Sequence, residues 1–387
     1  MEILIRKTAI FVQILCRKTG NGMLFYQDMK QFISSFLKII VMSFALSAFL
    51  TSCAPADEYI IISGYAQGGT YTVKFNMNGK DGRIGKSPEE IRDHVDSLLL
   101  QIDRSLSGYN RNSILSRLNA GEKVVPDGIF LDMYRRSYEI YRDTDGVVDV
   151  ASAPLFDIWG FGFSKGDFPS PAQVDSVRSV SGMGRLVPDL ADVLDQDGCI
   201  SSRSMTLNGG AAPELNFNAV AQGYSCDVIA GYLYSLGVKD MLVDIGEFFC
   251  DGLNPSGKPW TIGIDRPFDG NNTAGADLQG IFRAPSGPHG IVTSGNYRKF
   301  YVRDGKKYAH TIDPRTGYPV EHSLLSATIV AADATTADAY ATWCMVVGLD
   351  KSKEFLDSTE GFEGCLIYDE DGKMKTWCSK GFAIEIL

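Results

Sequence analysis

The chain is short of positive charge, of cysteines in ligand-like spacing, of linker composition and of any apolar run long enough to cross a membrane comfortably. Each shortage excludes a class of protein. Its 37 Lys and Arg are outnumbered by 47 Asp and Glu, for a formal charge of −10 over 387 residues. The first 52 residues hold six basic and two acidic side chains, so removing their +4 leaves −14 on the remainder. A body of that sign excludes nucleic acid as a natural partner, because phosphate backbones are held by Lys and Arg. A phosphorylated small ligand would need a cation beside it. None of the eight cysteines stands in C-x-x-C or other metal-ligand spacing. Besides Cys16 and Cys53, the remaining Cys199, Cys226, Cys250, Cys344, Cys365 and Cys378 lie mostly in apolar contexts and read as small buried hydrophobes. No Pro/Ser linker, repeat or low-complexity tract follows Ala56, so one body spanning residues 58–387 is the simplest division.

What is present is a globular composition, 44% hydrophobic and 22% charged, with 40 glycines and 17 tyrosines. That many turn formers and half-buried aromatics favours sheet over a helical bundle. At the N-terminus, Lys30 and Lys38 lead an apolar run from Ile39 to Leu50, which reads as an export signal rather than a membrane span. The run ends Leu50-Thr51-Ser52-Cys53 and resembles the lipobox of bacterial lipoproteins, so Cys53 is expected to carry lipid, with residues 53–57 as the tether. Residues 1–28 fit neither signal nor domain, which points to Met29 as the start. The expected location is a bacterial membrane, anchored by lipid and facing the periplasm or cell exterior. An ordinary transmembrane anchor is the alternative.

Ser87-Pro88-Glu89-Glu90 opens a helix by cap, proline and capping-box glutamate, with Ile91, Val95, Leu98 and Ile102 on one face. A second helix is expected after Asp127, and a third from about Ala219 to Leu236, stopped by Gly237. Strands are expected at Gly69–Phe75, Met241–Ile245, Trp260–Asp265, Lys299–Val302, Leu324–Ala331 and Cys365–Tyr368, several beside Asp-Gly turns such as Asp304-Gly305 and Asp371-Gly372. The irregular alternation predicts an α+β fold.

The richest segment runs from Tyr308 to Gly348. Asp313-Pro314-Arg315-Thr316-Gly317 is a turn by composition, preceded by His310. Asp338 and Thr342 stand four apart on one helix face, where a carboxylate and a hydroxyl offer hard oxygens to Mg²⁺. The competing reading makes Thr335 and Asp338 a capping box. Asn216 to Tyr224 runs an extended polar segment into a helix start, which serves either as a plain N-terminus or as an anion site. Tyr109, Trp159 and Phe161 could stack on a flat ring or fill a core.

In this order the segments resemble the FAD:protein FMN transferase family of lipoproteins. The likeness covers roughly Gly68 to Gly348 and rests on five blocks: the start at Gly69-Thr70-Tyr71, S-x-Y-N-x-x-S around Tyr109, P-L-x-x-x-W-G-F-G from Pro154, T-S-G-x-Y-R at Thr293–Arg298, and H-x-I-D-P-R-T-G at His310–Gly317. The resemblance implies mixed sheets with flanking helices in a two-lobed catalytic body with an FAD cleft. It implies Mg²⁺-dependent transfer of FMN from FAD to a threonine hydroxyl of an exported acceptor protein, releasing AMP. It assigns Asp338, Thr342 and Ala219 to Mg²⁺, His310 and Asp338 to catalysis, and Gly68, Tyr109, Val147, Val148, Asp149, Asn216, Gln222 and Ile312 to FAD. Asn216 and Gln222 replace the family's usual aspartate and lysine, and Glu247 replaces a glycine. An FAD pyrophosphatase and a flavin-binding lipoprotein without turnover are the alternatives.

Overall fold

The computed structural model describes residues 57–387 except 163–167, 211, 272, 298–299 and 304–305; Lys306 and Lys307 are described by backbone alone. The export segment, Met29, Cys53, Arg298, Lys299 and the Asp304-Gly305 turn therefore lie outside the described residues. Asp57–Leu387 forms one compact unit of α+β architecture.

Its frame is an eight-stranded sheet in the order Tyr59–Ala66, Gly69–Asn76, Met241–Asp244, Phe248–Asp251, His289–Gly295, Leu324–Ala331, Glu363–Glu370, Lys373–Cys378. Every neighbouring pair runs antiparallel. The first two strands turn through Gln67 (φ +52°) and Gly68 (φ +81°), the two positive dihedrals that a tight hairpin with right-handed twist requires. Alternate side chains divide the sheet between two cores. Val243, Val292, Ile329 and Leu366 face two central helices, Ala221–Ser235 and Ala334–Val347, whereas Leu242, Ile291, Val330 and Ile367 face a small sheet of Thr261–Asp265, Leu278–Arg283 and Ile384–Ile386. Both faces are covered, which is why every residue of Leu324–Ala331 except Leu325 is buried, Ser326 and Thr328 included.

A third core, around Leu115, Phe130, Tyr134, Ile200 and Phe217, unites the helices Pro88–Leu106, Ile114–Asn119 and Gly128–Asp143 with the segment from Met183 to Val220. Ser87 and Glu90 form the expected capping box, and Asp127 caps the next helix by accepting from the Phe130 N–H. In the first of these helices Leu99 is buried and Leu98 only half-buried, so the apolar face runs Ile91, Val95, Leu99, Ile102. The strands expected at Gly69, Met241, Trp260, Leu324 and Cys365 form, with ends shifted by at most two residues. Cys226, Cys250, Cys344 and Cys365 are buried as expected; Cys199 and Cys378 are half-exposed. No helix among the described residues is long and apolar enough to cross a membrane.

Candidate active site

The site grows from two helices that cap one another. The helix Ala334–Val347 starts at Asp333, whose carboxylate accepts from the Thr336 N–H and hydroxyl, each at 2.8 Å. This corrects the capping-box reading of Thr335 and Asp338: the chain caps the helix two residues earlier. Thr335 instead donates its N–H (2.9 Å) and hydroxyl (2.5 Å) to Asp227, which also accepts the Ala334 N–H at 2.8 Å. Asp227 belongs to the neighbouring helix Ala221–Ser235. Its carboxylate thus answers the orphan donors and the positive end of the helix dipole in its partner. Arg136 stands beside this cluster, 4.0 Å from Asp227 and 3.9 Å from Asp333.

Asp338 returns the arrangement. It is buried (5% exposed) and accepts the N–H of Gly223, the third residue of the helix Ala221–Ser235, at 3.1 Å. Val220 supplies that helix with no side-chain cap of its own. The approach depends on glycine: a Cβ on Gly223 would lie 2.2 Å from the Ala334 carbonyl oxygen, and one on Gly290 would lie 2.3 Å from Ala334 N and Cα. The first turn of the Ala334 helix is wedged between two residues without side chains.

Burial decides the electrostatics. It pushes the Asp338 carboxyl up to about 8, with the Asp227 charge adding and the Gly223 N–H opposing. Asp227 rises to about 6, again through burial, against its hydrogen bonds from Thr335 and Ala334. Among the described residues, Asp338 accepts one hydrogen bond and pairs with no cation. A buried carboxylate so placed takes either a proton or a metal ion. The Thr342 hydroxyl, one turn on, and the Ala219 carbonyl, just before the partner helix, also accept no hydrogen bond from a described donor. One carboxylate with neutral oxygens is the donor set Mg²⁺ takes when phosphate and water complete its shell. No group of three His, Cys, Asp or Glu that could hold a metal is found among the described residues, so a softer, cage-bound ion has no such cluster there.

Several residues assigned to FAD gather at the start of the Ala221 helix. The Asn216 N–H donates to the Val150 carbonyl, its side-chain oxygen accepts the Asn218 N–H, and the Asn218 amide donates to the Tyr109 hydroxyl at 3.4 Å. Tyr109 is 72% exposed and presents its ring at the surface. The Gln222 amide donates to the Ile245 carbonyl at 3.1 Å, beside Gly246, and Gln67 reaches Ser225, which brings the Gly68 hairpin tip to the same helix. Val147 and Val148 are buried, so they offer a ligand their backbone rather than their side chains. Asp149 turns into its own 3₁₀ turn, accepting the Ala151 and Met183 N–H groups, and burial raises its carboxyl to about 6 against those two bonds. It opens on a cleft lined by Tyr141, Arg178, Arg185 and Arg315.

The His310 segment forms another wall. Trp159 donates its indole N–H to the Gly317 carbonyl at 2.8 Å, and Ile312 (1% exposed) packs with Leu155, Trp159 and Val174. His310 lies edge-on to Phe161 at 6.4 Å, and Phe161 stacks on Tyr301 at 4.8 Å. Trp159 and Phe161 are therefore packing partners of the His310 block. The strand Ile312–Asp313, two residues after His310, touches the Ala334 helix that carries Asp338. Sequence reasoning missed Asp227 and Gly290; a glycine inside a helical pattern at Gly223 was the available sign of close approach.

The overall fold of the chain is shared with solved flavin transferases. The flavinyl transferase ApbE of Pseudomonas stutzeri, in its apo form, superposes with a TM-score of 0.69 at 29% identity, over 85% of this chain and 96% of that one. The flavin transferase ApbE of Vibrio cholerae gives 0.66 at 27%, over 84% and 98%. Among curated proteins, the FAD:protein FMN transferase of Escherichia coli (strain K12) is 32% identical over 337 residues, 84% of this chain and 89% of that protein. That of Salmonella typhimurium is 32% identical over 342 residues, 86% and 90%. The family model described as "ApbE family" matches residues 68–366, and the chain belongs to that family.

Proposed function

We propose that this enzyme, a flavin transferase of the FAD:protein FMN transferase type, moves the FMN half of FAD to a threonine hydroxyl of an exported acceptor protein and releases AMP. The observation that carries the reading is Asp338: a buried carboxylate with one backbone donor, no cationic partner among the described residues and a helix N-terminus beside it. Asp338, Thr342 and the Ala219 carbonyl would hold Mg²⁺, which supplies neutralisation of the pyrophosphate's charge. The N–H groups opening the Ala221 helix suit the same anion. Asp338 keeps one oxygen on Gly223, which orients the other. Tyr109 offers its exposed face to a flat ring. His310 is the group suited to take the proton of the incoming threonine hydroxyl. The leaving phosphate stays on the AMP.

Incubating the protein with FAD, Mg²⁺ and an acceptor domain should yield a fluorescent covalent band and an FMN-bearing threonine peptide in the mass spectrum. Free FMN and AMP without labelled protein would identify a pyrophosphatase instead, and tight FAD binding without AMP release would identify a binder. Lipidation at Cys53 belongs to the same proposal, with globomycin-sensitive processing of the precursor as its test.

A further inference from the structure

The C-terminal hairpin holds a pair of thiols that flavin transfer does not use. Strand Glu363–Glu370 pairs antiparallel with Lys373–Cys378, and the register sets Cys365 directly opposite Cys378. Ser379 donates its N–H to the Gly364 carbonyl at 2.9 Å, which makes those neighbours a hydrogen-bonded pair. Bonded and non-bonded pairs alternate along an antiparallel ladder, so Cys365 and Cys378 are a non-hydrogen-bonded pair. Such pairs stand about 4.5 Å apart at Cα with their side chains on one face, inside the span of about 4.4–6.8 Å that a disulfide tolerates. The thiols also feel each other: contact with Cys378 raises Cys365, and contact with Cys365 lowers Cys378. Cys365 is fully buried in the cluster with Trp260, Ile367 and Phe382, whereas Cys378 is half-exposed at its margin.

We propose that Cys365 and Cys378 are a disulfide site, closed by thiol–disulfide exchange with a small or protein disulfide as oxidant. The Cys378 thiolate attacks the oxidant, forming a mixed disulfide and releasing one thiol. The Cys365 thiol then gives its proton to water and its sulfur displaces the second thiol from Cys378. The two cysteines are oxidised and the oxidant's disulfide is reduced to two thiols. The bridge fastens the edge strand of the main sheet where the chain crosses to the small sheet: beyond Cys378, Phe382 stacks on Phe282 at 4.0 Å and Ile384–Ile386 pairs with Leu278–Arg283. None of the residues assigned to FAD or Mg²⁺ takes part, so this inference stands or falls apart from the flavin reading.

The test uses the full chain, purified with reductant, equilibrated with oxidised glutathione, denatured in an alkylating agent and digested. A cross-linked peptide pair joining Cys365 to Cys378 is expected, with Cys226, Cys250 and Cys344 recovered alkylated. The oxidised protein should melt about 3–5 °C above the reduced one, as a short closed loop in a chain of this size implies. The double variant Cys365→Ser, Cys378→Ser should show no such redox-dependent shift, and Cys365→Ser alone should hold a glutathione on Cys378. Recovery of Cys365 and Cys378 as alkylated thiols, or of Cys378 bridged to Cys199, would overturn the proposal whatever the variants' stability.

Discussion

Adding one methyl group at Gly223 tests the paired helices most directly. In Gly223→Ala the new Cβ would lie 2.2 Å from the Ala334 carbonyl oxygen, 2.6 Å from its carbon and 2.9 Å from the Asp338 Cβ. Ordinary carbon contacts begin at about 3.5 Å, so the helices must part by roughly 1 Å. The obstructing atoms are mostly backbone, and no rotamer relieves them. Overpacking of this kind costs about 1–3 kcal/mol. Parting also stretches the Gly223 N–H bond to Asp338, and a bond to a carboxyl that burial keeps protonated contributes about 0.5–1.5 kcal/mol. Alanine's better helix propensity returns about 1 kcal/mol, leaving a net loss of roughly 1–3 kcal/mol. In a body of this size that corresponds to a melting temperature lowered by about 1–4 °C, followed by circular dichroism, with FMN transfer to an acceptor measured alongside. Gly231→Ala in the same helix is the control, because its Cβ meets nothing within 4 Å. It should match or slightly exceed the parent. If Gly223→Ala melts like Gly231→Ala and keeps full transfer, the close approach is wrong.

If Asp338 holds Mg²⁺ as proposed, Asp338→Ala should lower FMN transfer by about 100-fold or more, since several kcal/mol of charge stabilisation would leave with it; in-gel flavin fluorescence measures it, and near-parental labelling would remove Asp338 from the chemistry. Burial raises both Asp227 and Asp338 above the ordinary carboxylate value, to about 6 and about 8, so each binds its proton more tightly folded than unfolded. Their contribution is therefore complete below about pH 4 and lost as pH rises through those values. Melting temperatures in chelator should fall across that window and recover with Mg²⁺, and the Asp338→Asn variant should show a smaller fall. Asp227→Ala strips three donors, the Ala334 and Thr335 N–H groups and the Thr335 hydroxyl, of their acceptor. A loss of about 2–4 kcal/mol is expected, read from the urea midpoint. Trp159→Phe removes the indole bond to Gly317 and should cost about 1–3 kcal/mol, with an unchanged midpoint counting against the docking of the two blocks.

Much of the scaffold was legible because its signals are local. The Ser87 capping box, the Asp127 cap, the Asp313–Gly317 turn and the strand Leu324–Ala331 each depend on residues within one or two turns of themselves. The α+β class and the family blocks follow from the same short-range patterns. The amphipathic face of the first long helix was read one residue early, at Leu98 instead of Leu99, because two adjacent leucines satisfy the same period and only packing chooses between them.

The sequence by itself determined the acidic balance, the helix and strand types, and the presence of Asp338 and Thr342 on one helix face. Tertiary structure alone decided which acid caps which helix. The capping box legible at Thr335–Asp338 gave way to a cap at Asp333, with Thr335 held by Asp227, which lies 107 residues from the Ala334 N–H it accepts, and Asp338 by Gly223, 115 residues away. It also decided that Cys365 faces Cys378, since strand register is a property of two segments together and of neither alone. Contacts at such separations carry no local signature, because what selects them is the burial of one surface against another.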